Sequence, residues 1–382
     1  MPYGNSRLIS CDSHFTEPGD LFTTRVPEKL KATAPRMERF AEGDAWVIEG
    51  VKDPINFGMN ACAGLAPEEM KGWMRFEDMR AGGYDPKARL QEMDADGVYA
   101  EVMYPTPRLS AAIYATPDQE KHLAYVRAYN DWQSEYVAHC PERFGGLVMM
   151  PNVGGPKVTI DEINRVIDRP GMRGVTMGRY PNGTAVLAPE DDAVWELLEA
   201  RDIPLNIHVA LVPGMPSAHK AKLPGYGRFF DAPNRMIEMI FAGVFDRFPK
   251  LQVAFAEVDF GWVPYVKEQI DNNYQRLEAV SRFGLQRLPS EYIDEHFHFG
   301  YMTDTFGLRN LHYMNPKRVL WSTDYPHISA DYPYSWRTIQ ASTSGLSQAD
   351  RDLILHGNAE RLYKFAPAGA EERAKPSIAA AA

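Results

Sequence analysis

The sequence predicts an α/β fold: one (β/α)8 TIM barrel with a long inserted loop or cap after its first strand. Three observations predict it. Eight short apolar or β-branched runs each end in polar residues, at 8–11, 98–103, 146–150, 174–177, 205–209, 252–258, 297–301 and 318–322. Stretches with helical spacing separate most of them, and eight alternating βα units close into a barrel. The runs are nearly continuously apolar, which suits strands of a parallel sheet buried on both faces.

Taken in order, the first run is followed by more than eighty residues before the second. Connections in such folds are normally far shorter, so 12–97 reads as a barrel carrying a cap insertion. Trp46, Phe57, Trp73, Phe76 and Tyr84 cluster there, either as a small core of the loop itself or as an apolar roof over the mouth. The next helix spans 86–94, with Asp85 as N-cap and Pro86 at the first helical position. Thr116 and Pro117 open 117–139 in the same way. Helices at 158–167, 189–200, 234–248 and 262–280 follow. The last, 347–363, starts at Ser347 with an acidic variant of the capping box. The barrel is expected to end near residue 365, leaving 366–382 as a disordered tail with almost no large apolar side chains.

Composition narrows the function classes. The 382 residues are 45% hydrophobic and 24% charged, with a formal net charge of -10. That acidity argues against nucleic acid or an anionic membrane as partner. Cys11, Cys62 and Cys140 are too few and too widely spaced for a disulfide framework or a CxxC metal site. No apolar targeting segment opens the chain, so a soluble cytoplasmic enzyme is expected. The helices 234–248 and 262–280 are apolar enough to support association into a homo- or hetero-oligomer of barrels.

Catalytic groups of such barrels lie at the C-terminal ends of strands. There the sequence places Asp12 and His14 (strand 1), His208 (strand 5), Glu257 (strand 6) and Asp324 (strand 8). Residues two apart on a strand share a face, so Asp12 and His14 can hold one ion. A lone histidine is more often a satisfied core residue, and Asp324 before Tyr325-Pro326 could simply make a turn. Their joint placement is what points to a metal. Two carboxylates and two imidazoles suit zinc, manganese or iron better than calcium, and an open position would hold an acidified water.

The motifs DSHFTEP, IPLNIHV, FAEVDFGWVPYVKEQID, VLWSTDYPH and ILHGNAERLY carry a resemblance. Over residues 7–365 the chain resembles the amidohydrolase-related branch of the amidohydrolase superfamily, which includes aminocarboxymuconate semialdehyde and γ-resorcylate decarboxylases. The resemblance implies that Asp12, His14, His208 and Asp324 hold a divalent metal. It also marks a departure. The decarboxylases have a catalytic histidine where this chain has Glu257, which here is either a general base, an extra metal ligand or a structural carboxylate.

The leading expectation is therefore a metal-dependent hydrolase acting on a small organic, perhaps aromatic, acid or carbonyl compound. Asp324 or Glu257 would serve as base and His327 as proton donor. Glu17, His298 and Asp304 are candidate substrate contacts. His296 and His298 share a face if both lie on strand 7, and His219 sits on a loop after strand 5. The alternatives are a nonoxidative decarboxylase, an oxygenase with two iron or iron/manganese ions resembling isobutylamine N-hydroxylase, and a non-catalytic partner of an active paralogue.

Overall fold

The computed structural model describes residues 7–208 and 231–367. Its strands are β1 (Ile9–His14), β2 (Arg36–Arg39), β3 (Asp44–Val47), β4 (Ile55–Asn56), β5 (Ala100–Tyr104), β6 (Phe144–Met149), β7 (Met172–Thr176), β8 (Leu205–His208), β9 (Val253–Ala256), β10 (Phe297–Tyr301) and β11 (Val319–Trp321). Eight of these form one parallel sheet in the order β1-β5-β6-β7-β8-β9-β10-β11. Its two edges meet just past the strand ends. Asp324 N–H donates to Asp12 O at 2.9 Å, and His14 N–H to Tyr325 O at 2.6 Å. Thr323 N–H adds a bond to Ser10 Oγ at 2.9 Å. The seam of the barrel therefore runs through the predicted ligand residues.

In the lumen, small side chains such as Cys11, Ala100, Ala254 and Ala256 stand beside Ile9, Val102, Leu147 and Leu320. The small ones leave room for Tyr104 from β5 and for Tyr363, which enters from the C-terminal helix. Both phenols donate to Asn206 Oδ1, at 3.0 and 2.6 Å. Outside the barrel, larger side chains such as Phe144, Val175 and Phe299 pack against the helices.

The connection after β1 contains β2, β3 and β4, which form an antiparallel sheet of three strands. Its aromatic residues pack on one another. Trp46 meets Phe22 and Phe57 at 5.6 and 6.3 Å, and Phe76 meets Tyr84 at 4.7 Å. The connection is also bonded to the loop after β11, through Ile328 N–H to Met59 O and Ala63 N–H to Pro326 O, both at 3.0 Å.

Several helix boundaries differ from expectation for local reasons. Asp85 caps Pro86–Asp96 by accepting from Lys87 N–H, and Gly97 ends that helix in the left-handed region, at φ 78°. The helix expected at 117–139 runs from Gln119 to Val137, because Asp118 rather than Thr116 supplies its cap, and a separate helix, Pro107–Tyr114, precedes it. The helix expected at 234–248 breaks at Gly243 into Asp231–Phe241 and Val244–Arg247. Helices Pro289–His296 and Ser335–Thr343 were not anticipated. Among the described residues no helix is long and apolar enough to cross a membrane.

Candidate metal centre

The site begins with an irregularity in β1. Ser10 pairs with Glu101 and Ser13 with Met103, so three steps on β1 match two on β5. Such a bulge re-aims side chains. Cys11 belongs to the lumen, and His14 lies opposite Tyr104. The extra residue brings Asp12 in beside His14, and both are fully buried. At the ends of β9 and β11 the chain turns through residues with left-handed backbone, Glu257 at φ 57° and Asp324 at φ 56°. That region is uncommon for side chains other than glycine and recurs where a site fixes the backbone. Here both turns aim carboxylates at the mouth.

The resulting geometry is tight. His14 Nε2 lies 3.3 Å from Asp12 Oδ1 and 3.3 Å from Asp324 Oδ1. His208 Nε2 is 3.3 Å from His14 Nε2 and 3.7 Å from Asp12 Oδ2. Asp12, His14, His208 and Glu257 each offer a ligand atom within 4.8 Å of the others, and so do His14, Glu257, Asp324 and His327. Two overlapping groups thus share His14 and Glu257.

A divalent cation fits this arrangement on physical grounds. Three carboxylates converge in a buried space. Both oxygens of Asp12 accept no hydrogen bond among the described residues, and Oδ1 of Asp324 faces only the imidazoles of His14 and His327. Buried carboxylate oxygens without a partner are costly, and a cation removes that cost. His14 is oriented as ligand histidines are, with Nδ1 fixed by the Pro105 carbonyl at 3.2 Å and Nε2 facing the cluster.

Without a cation the cluster distorts its own titration. Burial, joined by the charges of Asp324 and Glu257, raises the Asp12 carboxyl well above its usual range. Burial and then His327 hold His14 down to about 4. Burial also opposes charge on His327, but Asp324 and Glu257 outweigh it and raise that imidazole to about 10. Asp324 is itself held low despite burial, because His327 and His14 face it.

His327 Nδ1 bonds Asp324 Oδ1 at 2.8 Å and lies 3.9 Å from Glu257 Oε1. Its ring stacks on His14, centroids 3.8 Å apart. Two contacts here were not anticipated. Asn60, from the connection after β1, meets His327 Nε2 at 3.0 Å, and Ser329 Oγ donates to Asp324 Oδ2. Neither residue belongs to a sequence pattern that marks a strand end, so pattern reasoning had no signal for them. A third, Arg89, is fully buried beneath the site. It bonds Glu101 Oε2 at 2.6 Å and the carbonyl of His14 at 3.1 Å. A glutamate inside a barrel strand was the available sign of such a partner.

Six predicted residues therefore come together: Asp12, His14, His208, Glu257, Asp324 and His327. Three do not join them. Glu17 is buried, and its carboxylate accepts from Thr106 N–H at 2.9 Å, Thr106 Oγ1 at 2.7 Å and Tyr129 OH at 2.8 Å. Asp304 binds the Phe260, Gly261 and Gly307 amides at 2.6–2.8 Å and caps a short helix. His298 is the second residue of β10 and lies at the opposite end of the barrel, where Arg318 donates to its Nε2 at 2.9 Å. The period-of-two argument for His296 fails because β10 starts at Phe297. His296 ends the preceding helix and bonds Leu251 O at 3.0 Å. His219 lies outside the described residues.

A parallel barrel with buried carboxylates and imidazoles converging at the strand C-termini defines a class of metal-dependent enzymes. The particular family follows: the amidohydrolase family profile matches residues 9–365, and the chain belongs to it. A γ-resorcylate decarboxylase of Polaromonas sp. (strain JS666) is 25% identical over 325 residues, covering 79% of this chain and 93% of that one. An amidohydrolase structure from Mycobacterium avium subsp. paratuberculosis superposes with a TM-score of 0.73 at 21% identity, covering 94% and 98% of the two chains. The dihydroxybenzoic acid decarboxylase of Polaromonas sp. JS666, solved with manganese and 2-nitroresorcinol, gives 0.64 at 20% identity, covering 94% and 97%. The relatives named by activity here are decarboxylases, which favours decarboxylation over the hydrolysis expected first.

Proposed function

We propose that this chain is a metal-dependent carboxy-lyase that removes CO2 without oxidation from a small carboxylated aromatic or enolic acid. What supports this is the cluster of three carboxylates and three imidazoles, in a chain that spans 93% of a curated decarboxylase. Asp12, His14, His208 and Asp324 would hold zinc, manganese or iron, with Glu257 at the shared edge. When bound, the ion supplies a fixed positive charge that orients an anionic acid and stabilises negative charge as it develops.

The protein's own part is proton delivery. Breaking the bond to the carboxylate leaves its electron pair on the substrate carbon, and one proton must reach that carbon: RCOO− plus H+ gives RH plus CO2. Asp324 and His327, bonded at 2.8 Å, form the proton-holding pair nearest the cluster. Asn60 holds the far nitrogen of that imidazole. General acid groups of this kind contribute about 10²- to 10⁴-fold in rate.

The test is a screen of hydroxybenzoic and enolic carboxylic acids in D2O with purified, metal-loaded protein. The expected result is CO2 release with one deuterium at the former carboxyl-bearing carbon. Turnover with no CO2, and with oxygen from labelled water in the product, would instead establish hydrolysis. The two overlapping ligand groups favour a second reading, an oxygenase with two ions. It predicts about two redox-active metals per chain and turnover that stops without O2, whereas the carboxy-lyase works anaerobically.

A further inference from the structure

The N-terminal face of the barrel, opposite the metal centre, holds a cavity of about 200 Å³. The segments leading into β8, β9 and β11, the start of β10 and the helix Asn358–Tyr363 enclose it. Lys250, Lys317, Arg318 and Arg361 line it, and Asp202 is the one carboxylate among the lining residues. Asp202 is already neutralised by Lys364, whose Nζ lies 2.9 Å from its Oδ2. Asp294 and Glu295, the carboxylates whose field reaches Arg318, are bonded to Lys267 and Arg287 instead. Among the described residues, none of the four cations has a carboxylate within ion-pair distance.

The buried floor of the cavity is equally rich in donors. Arg318 NH1 donates to Gln252 Oε1 at 2.8 Å and to His298 Nε2 at 2.9 Å. The same nitrogen of His298 lies 3.1 Å from Gln252 Oε1; the shorter contact is to an arginine that can only donate, which assigns the Nε2 lone pair to Arg318 and leaves the proton of the neutral ring on Nδ1. Burial and the charges of Arg318 and Arg361 keep the ring neutral. His298 is 5% exposed, and its Nδ1 has no partner among the described residues. The lining thus combines a buried N–H without an acceptor and four cations without a counter-charge. Buried donors of this kind require an acceptor, and such a cluster favours an anion. The volume lies below the range of pockets for drug-sized ligands, so the acceptor is small.

We propose that this cavity binds a small tetrahedral oxyanion of the phosphate type, as a ligand site separate from the metal centre. Arg318 and His298 form its floor, and Lys317 and Arg361 close over the ion.

Titration calorimetry with inorganic phosphate at constant ionic strength, together with the unfolding midpoint, tests this. Tenfold excess over the dissociation constant should raise the midpoint by about 2 °C relative to chloride. The K317A/R361A variant alters two exposed side chains far from the metal centre. It should bind phosphate at least tenfold more weakly, and its unliganded midpoint should stay close to that of the parent. Sulfate should bind in the same way. Equal phosphate affinity in the variant would overturn the assignment, because the ion would then sit elsewhere, as at the metal centre. So would the absence of any effect beyond chloride. Binding of acetate with no response to phosphate or sulfate would refute the tetrahedral class.

Discussion

Asp324 closes the barrel seam through its amide, faces His14 and bonds His327, all from one left-handed residue. Asp324→Asn keeps the shape but loses the carboxylate charge that holds a proton on His327 and faces the ion. Decarboxylation should fall by about 10²-fold or more while the far-ultraviolet dichroism is unchanged. Retention of full activity would remove Asp324 from the reaction. Arg89 makes the complementary case beneath the site, paired with Glu101 where both are buried. Arg89→Met strands that carboxylate and should cost about 3–5 kcal/mol in denaturant unfolding, and R89M/E101L should recover part of the loss. Equal stability of R89M and the parent would contradict the pairing. Asp12, His14, His208 and Asp324 were legible because strand ends are visible as the end of an apolar run. Glu17 and Asp304 show the limit of that logic. They too follow strands, but nearby amides and hydroxyls satisfy them, and sequence order does not reveal which loops fold back to supply those donors.

At the scale of elements, irregular joints position the chemistry, and these were the least legible parts. A bulge is one extra residue among otherwise ordinary strand residues, so nothing in ISCDSH announces it. The glycines after the three-stranded sheet are similar. A Cβ on Gly83 would stand 2.6 Å from Cβ of Thr16, so only glycine permits the connection to close on the loop after β1. His122 is another joint. Its Nδ1 meets Ile113 O at 3.1 Å, and its Nε2 accepts from Asn152 N–H at 3.2 Å, linking two helices to the loop after β6. An acceptor role requires the neutral ring, and burial holds this group down to about 4, despite the Ile113 carbonyl and with help from Arg179. An unfolded histidine titrates near 6.5. Between these values the unfolded chain binds the extra proton, so stability rises with pH across the window and is lost as pH falls from about 6.5 toward 4. His122 accounts for at most about 3 kcal/mol of that loss. His122→Gln should flatten the dependence of unfolding free energy on pH in this window. An unchanged slope would mean that His122 does not set it.

Across the whole molecule, the eight-strand order was readable because each parallel strand is a continuous apolar run. The three-stranded sheet was not, since its strands are short and one is largely exposed. Barrel closure and metal binding are coupled through the same few residues. The seam bonds of Asp12, His14, Asp324 and Tyr325 lie within one or two residues of every proposed ligand on β1 and β11. The carboxylates of the site repel one another beside that seam when uncompensated, so the ion should stabilise the entire fold. With metal at about a thousandfold excess over its dissociation constant, linkage gives about 4 kcal/mol, or about 5 °C in a chain of this size. Chelation should lower the unfolding midpoint by that amount, and manganese or zinc should restore it. In Asp12→Asn/His208→Asn the midpoint should no longer respond to chelator. If the parent protein unfolds at the same temperature with and without chelator, and elemental analysis confirms that metal was removed, the cluster does not join the barrel to its cofactor in this way.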